Sequence, residues 1–216
     1  MKIDVVRPTA LTGAERARWR ELQARAGSDY SSPFLSPDWA VAVDRALAEF
    51  GGRCQVAVIR DGDDAKGFFA ARVNGAVAIP AGAPLSDYQG VVAEAGLRIE
   101  ARELAKAFGV QRIDFTHMVE HDRAFGPFGR GREDFYAVDL ADGWAAYEQG
   151  RKDAGTDILK DIAKKRRKLE RDVGPITFTG FSRSRADFER AFEWKRAQYA
   201  RTRQTDPTQD RKSTRL

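Results

Sequence analysis

Cysteine is almost absent from this chain. Cys54 is the single one among 216 residues, so no intramolecular disulfide can form and no cysteine cluster can hold zinc. Histidine is nearly as scarce, with only His117 and His121. No run of about 18 apolar residues occurs, which excludes a membrane-spanning helix. The N-terminus, MKIDVVRPTALTGAERARWRE, lacks the apolar core of a signal peptide, so the cytoplasm is the expected compartment. A strong charge bias is missing too. Lys and Arg number 37 against 32 Asp and Glu, a net +5. That balance favours anionic ligands but not specific nucleic-acid binding, which concentrates far more positive charge. What remains is 42% hydrophobic and 32% charged, the composition of a soluble globular protein with a real core. The length allows one large domain or two smaller ones.

Local signals set out an order of elements. Ile3–Val6 reads as a strand closed by Pro8. Thr12 stands three residues before Glu15, the spacing of a capping box, and predicts a helix to about Ala26. Ser36 followed by Pro37 predicts a second helix, with Trp39, Val43, Ala46, Leu47 and Phe50 on one face. CQVAVIRD and KGFFAARVN are strands joined by a turn, and Asn74–Gly75 signals a hairpin into AVAIP. The loop AGAPLSDYQG follows. A helix is then expected from about Glu94 to Phe108, next a strand VQRIDFTH, and, after a glycine-rich excursion, a strand from Asp134 to Leu140. Past Leu140 the pattern begins again, with a helical region (Trp144–Asp172), a strand (Ile176–Phe181) and a helix (Ala186–Tyr199).

The stretch from Asp157 to Gly174, DILKDIAKKRRKLERDVG, is the most distinctive. At a step of roughly 100° per residue, Ile158, Ile162, Leu169 and Val173 form one narrow stripe. Lys160, Lys164, Arg167, Lys168 and Arg171 gather on the opposite side as a cationic ridge. On the last helix, Phe188, Phe192 and Tyr199 make an apolar stripe, whereas Trp194, Gln198 and Arg201 share another face. An indole beside amide and guanidinium groups suits contact with carbohydrate or an acyl chain.

The element order, together with SPFLSPDW, AGAPLSDYQG, AKKRRKLERDVG and FEWKRAQYARTRQTD, resembles GNAT-fold acyltransferases of the CelD-like type found in cellulose and exopolysaccharide biosynthesis, relatives of the Fem-type aminoacyl ligases. The fold class implied is α/β (α+β): a mixed, mostly antiparallel GNAT-like sheet flanked by helices, followed by the start of a second such unit. The corresponding domains are residues 1–140, a first unit, and 141–209, the N-terminal part of the second. The resemblance implies acyl transfer from acetyl-CoA or another acyl-CoA to an amine or hydroxyl of a sugar or envelope precursor, with no metal. Family donor loops carry R/Q-x-x-G-x-G/A at a helix start, where backbone N–H groups hold the pyrophosphate. Here the equivalent segment, LSDYQGVVAEAG, lacks that spacing, so the first unit is expected to have no donor site. Asp87 and Tyr88, within that loop, are candidates for hydrogen-bonding the acceptor.

Other motifs weigh less. His117, Glu120 and His121 fit H-x-x-E-H, with Glu189 or Glu193 as a third zinc ligand, but the segment sits between a strand and GPFGRG with little room for a helix. Gly126–Gly131 is glycine-rich and basic, yet a strand rather than a helix is expected after it, which disfavours a phosphate loop. No general base is identifiable. A rival reading makes the chain a non-catalytic polyanion-binding module working through the Lys160–Arg171 ridge. Phe50 and Phe108 are expected core anchors. The last seven residues, Asp210–Leu216, resemble the translation of a sequencing adapter and are expected to be non-native, making this chain an incomplete, inactive copy that binds no coenzyme A.

Overall fold

The computed structural model describes residues 1–27, 30–120, 122, 124–156 and 158–206. The chain divides into two compact units, Met1–Arg132 and a second that starts at Glu133. In the first unit β1 (Lys2–Val6) leads to α1 (Gly13–Arg25), and the capping box forms as its spacing requires. Thr12 Oγ1 accepts the Glu15 N–H at 3.2 Å, and Glu15 accepts the Thr12 N–H at 2.7 Å. Ser36 caps α2 (Pro37–Ala48), accepting the Trp39 N–H at 3.1 Å. Next come β2 (Cys54–Asp61), β3 (Asp64–Asn74), β4 (Val77–Pro80), the short β5 (Val92–Ala93), α3 (Ala101–Phe108) and β6 (Arg112–Ile113).

These strands make one mixed sheet in the order β1-β2-β3-β4-β6, with β5 also paired to β3. Every pairing is antiparallel except β4 with β6. The central strands are apolar on both faces because helices cover both. Val56, Val58 and Phe68 face a cluster built with Trp19 and Leu22 of α1 and Ala40 of α2. Ala57, Ile59, Phe69 and Ala71, pointing the other way by the two-residue period, meet Leu104 and Phe108 of α3. Trp19 stacks on Phe68 with ring centroids 4.8 Å apart, and Phe69 meets Phe108 edge-on at 6.1 Å. This is the mixed, mostly antiparallel sheet flanked by helices that the element order implies.

Several expectations need correction. The buried face of α2 centres on Pro37, Ala40 and Asp44, whereas Phe50 is 70% exposed. Phe50 lies past the end of the helix, and the buried face of the helix itself carries a charge. Asp44, wholly buried, accepts the Arg7 guanidinium at 2.8 Å and the Cys54 N–H at 3.1 Å, and so sets the rotation of the helix. Burial, with Asp44 nearby, pushes the Cys54 thiol up to about 12, which makes it unreactive. The third helix begins at Ala101, not near Glu94. The Glu94 N–H bonds the Lys66 carbonyl at 2.9 Å, and its carboxylate pairs with Arg18 and Lys66, so residues 92–94 lie along β3.

In the second unit the expected strands at Asp134–Leu140 and Ile176–Phe181 do not form. Among the described residues neither segment has a ladder partner, and β-propensity without one leaves backbone groups to water. Tyr136 and Phe178 are more than nine-tenths exposed. The helical region divides into α4 (Gly143–Asp153) and α5 (Ile158–Val173), broken at Gly155, whose φ is +73°. The last helix, α6 (Arg185–Thr202), is capped by Ser184 and runs three residues beyond Tyr199. None of the three helices buries a residue. The proposed adapter-like tail and Asp157 lie outside the described residues.

Candidate functional site

The loop between β4 and β5 is the most constrained irregular segment of the first unit. Its entrance is held by Trp39, whose indole N–H donates to the Ala81 carbonyl at 3.0 Å. Gly82 follows with φ +84°, and a Cβ there would fall 2.5 Å from the indole ring. Only glycine fits that position, on both conformational and steric grounds.

The far side of the loop is fixed by two buried polar side chains. Strands β4 and β6 pair at Val77–Arg112 and Ala78–Ile113, and the Asp114 N–H still reaches the Ala78 carbonyl. Beyond that point the chain after β6 pairs with Gln89 instead. The Gln89 N–H donates to the His117 carbonyl and the Val119 N–H to the Gln89 carbonyl, both at 2.9 Å. The Gln89 side chain accepts the Thr116 N–H at 3.0 Å and donates to the Thr116 hydroxyl at 3.2 Å. Gln89 thus takes up the parallel pairing with the chain after β6 once β4 has ended at Pro80.

Two residues beyond Gln89, the Val91 N–H donates to Asp122 at 2.7 Å, and the Ala124 and Phe125 N–H groups donate to the same carboxylate at 3.0 Å each. The Tyr30 hydroxyl donates to it at 3.4 Å. Burial pushes this carboxyl above the ordinary carboxylate value, against the lowering effect of those four donors.

The two predicted acceptor-binding residues sit just before this anchored stretch. Asp87 is exposed, and Tyr88 is half-buried against the Trp19 cluster. Behind Tyr88 and Gln89 lies a cavity of about 20 Å³, bounded by Trp19, Phe34, Phe69 and Ala81, with room for about one water molecule. A ligand at Tyr88 therefore meets a firm wall rather than a pocket. Gln89 and Asp122 went unnoticed in the sequence because both lie in ordinary-looking polar loops. No spacing marks either.

Two features bear on an acyl donor in this unit. LSDYQGVVAEAG runs through the loop and β5 rather than opening a helix. The helix that does follow, α3, starts with a capping box of Glu100 and Glu103, which places carboxylates where a pyrophosphate would need free N–H groups.

The other predicted residues belong to the second unit. Lys160, Lys164, Arg167, Lys168 and Arg171 are all exposed on α5, as the helical step requires. Arg171 pairs with Asp172 at 3.3 Å. Lys160 also lines a cavity of about 270 Å³ with Glu148, Lys152 and Thr156. Trp194, Gln198 and Arg201 share a face of α6, with Trp194 70% exposed and Gln198 accepting from Lys195 at 3.2 Å.

The zinc pattern does not survive as a helix. His117 and Met118 lie in the bridge to Gln89, His121 is outside the described residues, and Glu189 and Glu193 lie on α6. Among the described residues no cluster of three metal-binding side chains occurs. Gly126–Phe128 form a 3-10 turn followed by irregular chain, not by a helix.

The comparison with known families concerns the second unit. Residues 157–216 match the acetyltransferase (GNAT) domain family. The GNAT-matching segment contains α5 and α6, hence both the cationic ridge and the Trp194 face. No curated protein and no solved structure matches the chain. Among the described residues no helix is long and apolar enough to cross a membrane.

Proposed function

We propose that this protein acts in acyl transfer from acetyl-CoA or another acyl-CoA to an amine or hydroxyl of a polysaccharide or cell-envelope precursor, in the cytoplasm and in the manner of CelD-like proteins. The observation that carries this reading is the GNAT match over residues 157–216. The strand order of the first unit, with its closing parallel pair, supports it.

On this reading the two units divide the work. The first has no donor site, since LSDYQGVVAEAG opens no helix and carboxylates cap α3. It recognises acceptor through Asp87 and Tyr88, while Trp194, Gln198 and Arg201 offer a second polar-aromatic face. Chemically, the acceptor nitrogen or oxygen attacks the thioester carbonyl. The C–S bond breaks, the new C–N or C–O bond forms, and the acceptor's proton ends on the coenzyme A thiol.

The direct test is coenzyme A release by the full gene product, supplied with acyl-CoA and with amine- and hydroxyl-bearing sugar precursors. Release that requires both partners is expected, and silence with every acyl donor would overturn the proposal.

A second reading rests on a separate observation, the five exposed cationic side chains gathered along one side of α5. In that case the chain is a non-catalytic module that holds acidic polymers.

A further inference from the structure

The Asp87–Tyr88 loop is held by a residue that the acyl-transfer reading does not yet use. Asp122 is 2% exposed. Taking a carboxylate that far out of water costs several kcal/mol unless its oxygens are saturated with donors. Here they are. Two of the donors, the N–H groups of Ala124 and Phe125, are local and would suffice for an ordinary turn. A turn of that kind works equally well in solvent and needs no burial.

The third donor is of another sort. The Val91 N–H lies 31 residues away in sequence and makes the shortest of these bonds, at 2.7 Å. Tyr30, from the segment ahead of α2, completes the set at 3.4 Å. One carboxylate therefore joins three separate stretches of chain. The packing around it is equally committed. A Cβ on Gly90 would lie 3.0 Å from Val119 Cγ2, 3.1 Å from Asp122 Oδ2 and 3.2 Å from Tyr30 Cε1, so the backbone is seated closely against both segments. With Gln89 bonded through both its backbone and its side chain, residues 89–91 form a rigid base. Asp87, exposed, and Tyr88, half-buried, stand on that base.

We propose that Asp122 is the positioning residue of the acceptor site, fixing where Asp87 and Tyr88 meet the acceptor without touching it. The inference rests on the acyl-transfer reading, but one arm of its test does not. A charged acceptor of three N–H groups loses much of its hold when neutralised, so Asp122→Asn should loosen the base while keeping the side chain's volume.

In hydrogen exchange on the full chain, the Val91 amide of Asp122→Asn should exchange at least about tenfold faster than wild type. The Leu104 region of α3 should be unchanged. In turnover, the KM for acceptor should rise by about tenfold, with kcat and the KM for acyl-CoA within about twofold. Adding Tyr88→Phe should then raise the KM for acceptor little further, because both changes act through one contact.

If Asp122→Asn fails to fold, Tyr30→Phe, which removes a single hydroxyl, should show the same pattern at smaller size. Unchanged protection of Val91 would overturn the proposal whether or not turnover is seen. So would a fall in kcat at constant KM, which marks a merely structural role. Faster exchange at Val91 with no turnover from any donor would instead defeat the acyl-transfer reading and leave Asp122 as the anchor of this loop.

Discussion

At the scale of single residues, buried charge rather than apolar pattern decided the outcomes that mattered. A helical wheel puts Phe50 and Leu47 on one face of α2, but Asp44 on the same helix has the stronger claim to the interior. Once desolvated, it must keep both Arg7 and the Cys54 N–H as partners. Phe50, past the last helical residue Ala48, is left in solvent, while Phe108 is buried against Phe69. The two residues should therefore differ sharply in urea unfolding. Phe108→Ala should cost about 3–5 kcal/mol, the range for a buried phenylalanine. Phe50→Ala should change stability by less than about 0.5 kcal/mol. Equal losses at both would show that the end of α2 covers a core after all.

At the scale of elements, local chemistry and ladder chemistry behaved differently. Helices capped by their own neighbours formed where their signals stand: Thr12 with Glu15, Ser36 with Trp39, Ser184 with Asp187. Strands followed their partners. CQVAVIRD forms in full because β1 and β3 flank it, whereas the equally β-like DFYAVDL has no ladder partner among the described residues. The α5 ridge is an element-scale feature with an element-scale consequence. Its five cations are exposed, so Lys164→Glu with Lys168→Glu should leave the melting midpoint of the chain within about 2 °C. Under the polyanion reading the full chain should bind heparin, weaken as salt rises and lose binding in that double variant. Binding that persists there would dismiss the ridge as the cause.

At the scale of the whole molecule, burial is confined to one part. All the fully buried side chains belong to Met1–Arg132, and none of the described residues after Glu133 is buried. Residues 1–132 expressed alone should therefore unfold cooperatively, with the far- and near-ultraviolet circular dichroism transitions coinciding. Residues 133–216 alone should lose helix gradually, without a common midpoint, because helices of 11 to 18 residues are marginal in water without packing. A sharp transition in the second fragment would contradict that account. Much of this protein was legible from residue order alone. The Thr12–Glu15 capping box, the Asn74–Gly75 hairpin and the apolar run of β2 all depend on residues within a few positions of one another. The rest was settled by contacts between distant parts of the chain: Asp44 with Arg7, 37 residues apart, and Asp122 with Val91, 31 apart. A one-dimensional pattern records which side chains can be buried. Which buried charge finds its donors, and which strand finds its ladder, depends on where the fold brings other segments, and only the tertiary structure decides that.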